Sequence, residues 1–161
     1  MKMLRSVIAL FAFSILWVSV VAPATAAGPR DMFLESESSL KLSETVDAIK
    51  AEAGALGWSV LAAHDLAASA AKKGYVIAPI TILETCNAKY AVELIKKDET
   101  RYVSSLLPCR VSIYETSTGK VIISRLNTTA FGSMMEPAVA DILNKAGAEM
   151  EGIIERVRAK K

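Results

Sequence analysis

The chain has 161 residues, of which 52% are hydrophobic, with 19 basic and 17 acidic side chains. This length predicts a single domain of ordinary size. Lys2 and Arg5 account for the whole basic excess, so the rest of the chain carries equal numbers of acidic and basic residues. That balance argues against a nucleic-acid-binding protein and against a polybasic protein of the membrane surface.

Residues 1–26 have the pattern of an export signal. A short basic region precedes the apolar run 7–21, and an A-x-A arrangement of small residues ends at Ala26. We expect cleavage after Ala26, which leaves residues 27–161 as the mature domain. The alternative is an uncleaved anchor, because residues 4–22 are about long enough to cross a bilayer.

The rest of the chain supports export without an anchor. Both cysteines lie far beyond the apolar run, so the lipid attachment of a lipoprotein is excluded. No later stretch approaches the length of a membrane span. We therefore expect a periplasmic or secreted protein with no stable membrane anchor after cleavage.

The mature chain alternates segments typical of strands and helices. Strands are predicted at residues 32–37, 58–63, 75–83, 109–114 and 120–126. Helices are predicted at residues 44–56, 88–98 and 134–158, with a single helical turn at 66–73. The main order is β-α-β-β-α-β-β-α. It predicts an α+β two-layer sandwich in which helices cover one face of a mainly antiparallel sheet.

Local signals set the expected ends of these elements. Ser43 and Asn87 are predicted N-caps of the first two helices. A capping box that starts at Ser133 predicts the start of the last helix, with Pro137 in its first turn. Residues 115–119, which end in glycine, predict a hairpin between the last two strands.

Several short motifs in this arrangement resemble the domain-of-unknown-function family 302. The resemblance covers residues 35–131 and is sharpest in Cys86-Asn87 after the third strand and in Leu-Pro-Cys-Arg, residues 107–110, at the start of the fourth. Where the family usually has C-N-P, this chain has Cys86-Asn87-Ala88. Alanine, like proline, suits the first turn of a helix. Some members lack both cysteines, so a role obligatory for the whole fold cannot rest on the thiols. The resemblance implies a fold and no established activity.

Cys86 and Cys109 are the most informative side chains. In an oxidising compartment two thiols can be joined. A bond would close a loop of 24 residues, counted from Cys86 through Cys109, and contribute about 3 kcal/mol. We expect a structural disulfide. A redox-active thiol pair and a metal site remain the alternatives.

Four further polar residues are candidate binding groups. His64, the sole histidine, and Asp65 follow the second predicted strand, Asn87 follows the third, and Arg110 follows Cys109. His64 could join the two thiols in a soft ligand set for zinc or copper. A lone histidine beside an acid, however, is usually a surface or capping residue. Arg110 is either a salt-bridged strand residue or an anion-recognising group.

These observations leave two classes of function. The leading hypothesis is an exported binding or accessory module for a small ligand or a protein partner, and it allows a homodimer. The alternative is a thiol-dependent redox or metal-handling protein that uses Cys86 and Cys109. No nucleophile elbow, phosphate-binding loop, dinucleotide fingerprint or zinc-protease motif occurs, so no catalytic residue, cofactor or resident metal is predicted.

Overall fold

The computed structural model describes residues 28–161. The predicted export signal lies outside the described residues. A short 3-10 turn, Pro29–Met32, leads into the first strand. No helix among residues 28–161 is long and apolar enough to cross a membrane.

Five strands form one sheet. They are β1 (Phe33–Ser38), β2 (Ser59–Asp65), β3 (Ile80–Cys86), β4 (Cys109–Glu115) and β5 (Val121–Leu126). Their spatial order is β1-β5-β4-β3-β2, and every neighbouring pair is antiparallel. β1 and β2 are therefore the edge strands, and β4 lies in the centre.

Within residues 28–161, six α-helices connect or follow these strands. They are α1 (Leu42–Ala55), α2 (Leu66–Ala71), α3 (Ala88–Ile95), α4 (Asp98–Arg101), α5 (Thr128–Gly132) and α6 (Pro137–Arg158). The 22-residue α6 is the longest, and a 3-10 turn, Tyr102–Leu106, joins α4 to the approach of β4. This architecture confirms the predicted α+β sandwich.

The core lies between the sheet and its helices. The buried face of the sheet supplies Leu83, Val111 and Ile123, which pack with Ile49 of α1 and Ile153 of α6. Because side chains alternate along a strand, the inward residues of β4 and β5 are buried and their neighbours are only partly covered. One face of the sheet therefore packs on the long helices.

The opposite face, which we call the open face, is assigned by the strand register. It carries Ile80, Ile82 and Glu84 of β3, Arg110, Ser112 and Tyr114 of β4, Ile122 and Ser124 of β5, Glu35 and Glu37 of β1, and His64 of β2. Its apolar side chains on the three inner strands are half-buried.

Three predicted starts are wrong by more than one residue, and α3 ends at Ile95 rather than near residue 98. β3 starts at Ile80 rather than residue 75, because β2 ends at Asp65 opposite Thr81 and offers no partner further along. Pro79 also lacks the N–H that a ladder needs. The segment 75–79 is consequently outside the sheet.

The other two wrong starts are those of helices. α1 begins at Leu42, and the Lys41 N–H donates to Glu44 Oε2 at 3.1 Å, so Ser43 is not its cap. Before α6, the unpredicted helix α5 is capped by Asn127, whose Oδ1 accepts from the Ala130 N–H at 3.1 Å. Ser133 belongs to the end of that short helix, and α6 starts at Pro137.

Candidate ligand-binding cleft

A cleft opens at the end of the sheet where β4 and β5 diverge. Their ladder ends at the pair Val111 and Arg125, so Cys109 and Arg110 on one strand have no partner on the other. The resulting cavity has a volume of about 320 Å³. Because it lies past the end of the ladder, residues of both sheet faces contribute to its wall.

The exposed surface of the wall is mainly apolar, although ten apolar and eight polar residues contribute to it. Its apolar residues are Phe33, Trp58, Ile82, Leu106, Leu107, Pro108, Val111, Leu126, Ala146 and Met150. Its polar residues are Ser105, Cys109, Arg110, Ser112, Ser124, Arg125, Thr128 and Glu151, and Gly147 completes it. An apolar enclosure with a small number of placed polar groups is the usual composition of a small-molecule site.

The expected disulfide between Cys86 and Cys109 is absent, so this prediction is wrong. The end of β3 does lie beside the start of β4, but Cys109 pairs with Thr85, one residue before Cys86. A one-residue offset between neighbouring strands directs two side chains to opposite faces of a sheet. Both residues are free thiols and are not at bonding distance.

Cys109 is held as a neutral thiol. Burial raises its pKa, and the nearby Cys86 adds to the rise. A thiol of this kind ionises less readily than an exposed cysteine, whereas reactive cysteines have a lowered pKa. Cys109 therefore contributes a polarisable, weakly polar group to the cleft.

Arg125 lines the buried side of the cleft, where contacts with Glu151 and Ser36 hold its guanidinium in place. Its Nε donates to Glu151 Oε1 of α6 at 2.8 Å, and its Nη2 binds the second carboxylate oxygen of Glu151. Its Nη1 donates to Ser36 Oγ at 2.8 Å. With 7% exposure, this guanidinium is buried and fully engaged, so it is not available to a ligand.

Neither member of this pair was expected from the sequence. Arg125 does carry a signal, because it continues the inward alternation of Val121 and Ile123. Glu151 carries no such signal, since its side chain is 36% exposed and it lies outside the buried stripe of α6.

Arg110 and His64 lie on the open face, on either side of Glu84. Arg110 Nη2 is 3.4 Å and His64 Nε2 is 3.3 Å from Glu84 Oε1. Arg110 also lines the cleft, and 68% of its side chain is exposed. It is therefore the cationic group at the entrance that a bound molecule can reach.

Asp65 and Asn87 act as helix caps. Asp65 Oδ1 accepts from the Ala68 N–H at 2.8 Å at the start of α2, and Asn87 Oδ1 accepts from the Lys89 N–H at 3.0 Å at the start of α3. The capping role predicted for Asn87 is confirmed.

Only two of the six candidate residues line the cleft. These are Cys109 and Arg110; Cys86, His64, Asp65 and Asn87 do not. Within residues 28–161, no group of three or more His, Cys, Asp or Glu side chains could hold a metal ion. The proposed combination of His64 with the two thiols is thus not assembled as a metal site.

The protein belongs to the class of small α+β domains in which helices cover one face of a single antiparallel sheet, and its cleft lies at one end of that sheet. The family model described as "Domain of unknown function DUF302" matches residues 34–157, most of the chain. The chain belongs to this family, as its short motifs suggested.

A solved structure has the same fold. It is the crystal structure of an uncharacterized conserved DUF302 protein from Bacillus stearothermophilus, with 24% sequence identity and a TM-score of 0.72. The match covers 79% of this chain and 98% of that one. A search of curated proteins found no match.

Proposed function

We propose that the chain is an exported binding module of the periplasm or the extracellular space, with its ligand in the cleft between β4 and β5. The export proposal rests on the basic, apolar and small-residue pattern of residues 1–26. The binding proposal rests on one observation, the cavity of about 320 Å³. That volume falls within the range of about 300 to 1,000 Å³ typical of small-molecule sites.

The composition of the cleft supports a small, mainly apolar ligand with an acidic or polar end. Trp58, Leu107 and Met150 offer apolar contact, while hydroxyl groups such as that of Thr128 offer hydrogen bonds. Arg110 is placed at the entrance to pair with an acidic group. Its present contact with Glu84 is long, at 3.4 Å, and an exposed pair of this kind contributes little to stability.

The same features favour binding over thiol chemistry. A redox or nucleophilic cysteine needs a lowered pKa, and burial shifts the Cys109 pKa in the opposite direction. Arg110, the neighbouring cation, projects to the open face together with Glu84, away from the buried face to which Cys109 belongs. A thiol-dependent function is therefore the second candidate.

The binding proposal is tested by blocking the cleft at its rim. The probe is anilinonaphthalene sulfonate, an aromatic anion whose fluorescence rises in apolar sites. Ser105 and Ser104 are both exposed residues of one 3-10 turn, but only Ser105 lines the cleft. Ser105→Trp should weaken saturable probe binding at least about tenfold, or 1.4 kcal/mol, while Ser104→Trp should leave it unchanged.

Two results would contradict the cleft as a binding site. One is wild-type protein that binds no probe saturably. The other is equal binding by both tryptophan variants. The export proposal has its own measurement, the intact mass of the protein recovered from the cell envelope or medium. A mature chain beginning at Ala27 is expected, and retention of Met1 to Ala26 would refute cleavage.

A further inference from the structure

An exposed apolar segment stands at one end of the open face. It comprises Tyr75, Val76 and Ile77, which directly precede Pro79 and β3. Val76 is 98% exposed, Tyr75 69% and Ile77 48%. Isolated apolar residues on a surface are ordinary, whereas a contiguous exposed apolar patch is typical of an interaction surface.

The backbone of this segment is also unpaired. Within the described part of the chain, the backbone groups of Val76, Ile77 and Ala78 form no hydrogen bond with another segment. The Glu115 N–H still donates to the Pro79 carbonyl at 3.0 Å, so pairing with β4 stops there. Free backbone groups beside apolar side chains provide a template for pairing with another chain.

The segment joins an apolar row of the open face. Ile80 of β3 lies opposite Tyr114 of β4, and Tyr114 lies opposite Ile122 of β5. All three are half-buried, and they occupy the end of the sheet from which the segment emerges. We call the residues Tyr75, Val76, Ile77, Ile80, Tyr114 and Ile122 together the apolar end.

We propose that the apolar end and the open face form the interface of a homodimer, in which two copies meet about a two-fold axis. A two-fold contact places the same surface on both sides, so it covers both exposed segments and both apolar rows at once. The open face shares Ile82, Arg110, Ser112 and Ser124 with the cleft wall, so the dimer would also cover the entrance of the ligand cleft. The measured mass tests the dimer independently of probe binding.

The charges of the open face fit a protein partner with the same surface. Glu35 pairs with Arg30 at 3.0 Å, and Glu37 pairs with Lys120 at 2.7 Å. Glu84 is likewise paired with Arg110 and His64. Since each acid already has a cation on its own chain, two such faces can meet without burying an unpaired charge, which would be costly.

The available area comes close to that of a stable interface. A sheet of five strands, each about 4.8 Å apart and about 20 Å long, presents a face of roughly 500 Å². A stable interface needs about 800 Å² from each partner. The open face alone falls short of this value, and the exposed side chains of Tyr75, Val76 and Ile77 add to it.

The test measures mass in solution by light scattering at micromolar concentration. The wild-type protein should have twice the mass of one chain. Val76→Glu should raise the dimer dissociation constant at least about tenfold, because it puts a charge into an apolar interface. Val76 is almost wholly exposed, so this change cannot disrupt the core. Ile122→Glu should have the same effect from the sheet side.

Val92→Glu is the matched control. Val92 is 51% exposed on α3, which packs on the helical side, and the variant should remain dimeric. A monomeric wild-type protein, or a Val76→Glu variant as dimeric as the wild type, would overturn the proposal. Monomeric wild-type protein that floats with phosphatidylglycerol vesicles would assign the segment to a lipid surface instead.

Discussion

Arg125 of β5 and Glu151 of α6 form a two-point contact across the sheet–helix interface. Arg125 is buried, and Glu151 accepts from both its Nε and its Nη2. The contact fixes α6 to the sheet beside the cleft. Paired carboxylate and guanidinium groups of this geometry are among the stronger polar contacts in proteins.

Glu151→Ala should therefore lower the free energy of unfolding by about 2 to 3 kcal/mol, because it leaves a buried guanidinium without its main acceptor. Glu155→Ala is the control, since its contact with Arg158 is exposed and only one turn away. That variant should lose less than about 0.5 kcal/mol. Urea denaturation measures both, and equal losses would contradict a special role for Arg125 and Glu151.

Gly147 and Gly152 of α6 should respond oppositely to alanine. A Cβ at Gly147 would lie 1.8 Å from Thr128 Oγ1 and 2.9 Å from its Cβ, whereas a Cβ at Gly152 meets nothing within 4 Å. Gly147→Ala should therefore destabilise the fold by about 1 to 3 kcal/mol. Gly152→Ala should stabilise it by up to about 1 kcal/mol through helix propensity. Thermal denaturation of the two variants decides, and a stabilising Gly147→Ala would refute the close packing of α5 on α6.

Cys109 should make the fold less stable at alkaline pH. Its folded-state pKa is raised above the ordinary value of 9.0, mainly by burial. Below that pH the thiol is neutral in both states, and above it the unfolded thiol ionises first, so stability falls as pH rises. Cys109→Ala should remove this part of the loss, and Cys86→Ala should retain most of it. Urea midpoints measured across pH 9.0 provide the comparison.

The same samples test the free thiols directly. A reductant should leave the urea midpoint of the wild-type protein unchanged, because the two thiols are unbonded. A reductant-dependent loss of about 3 kcal/mol would instead demonstrate a disulfide.

Ile153 and Ile142 lie towards opposite ends of α6 and contact different clusters. Ile153 is fully buried in the main core, whereas Ile142 is only partly buried beside a smaller cluster of Leu94, Val103, Val139 and Leu143. Ile153→Ala should cost about 2 to 5 kcal/mol. Ile142→Ala should cost clearly less, because it creates a smaller cavity. The reverse order in chemical denaturation would show that the helix packs differently.

The sequence by itself determined most of the secondary structure. Alternation, β-branched residues and turn signals together indicated all five strands, the glycine-containing turn indicated the hairpin before Val121, and the spacing of apolar residues indicated the long helices. The family resemblance also came from short motifs around Cys86 and Cys109 and was confirmed. These features are local, so neighbouring residues in the chain are enough to specify them.

The tertiary structure decided the relations between strands. Whether Cys109 meets Cys86 depends on the register of β3 against β4, and a shift of one residue changes the face of every side chain. The start of β3 likewise depended on where β2 stops. Neither the register of β3 against β4 nor the start of β3 can be read from the residues of β3 alone.

The cleft and the pairing of Arg125 with Glu151 arose in the same way. Each brings together residues far apart in the chain, at the point where β4 and β5 diverge above α6. The sequence could mark Arg125 as a charge in a buried pattern, but its partner was fixed only by the packing of the helix on the sheet. Local sequence patterns thus specify the helices and strands. Long-range packing specifies the cleft and the Arg125–Glu151 contact, because the energy of such a contact depends on a partner that the local pattern does not identify.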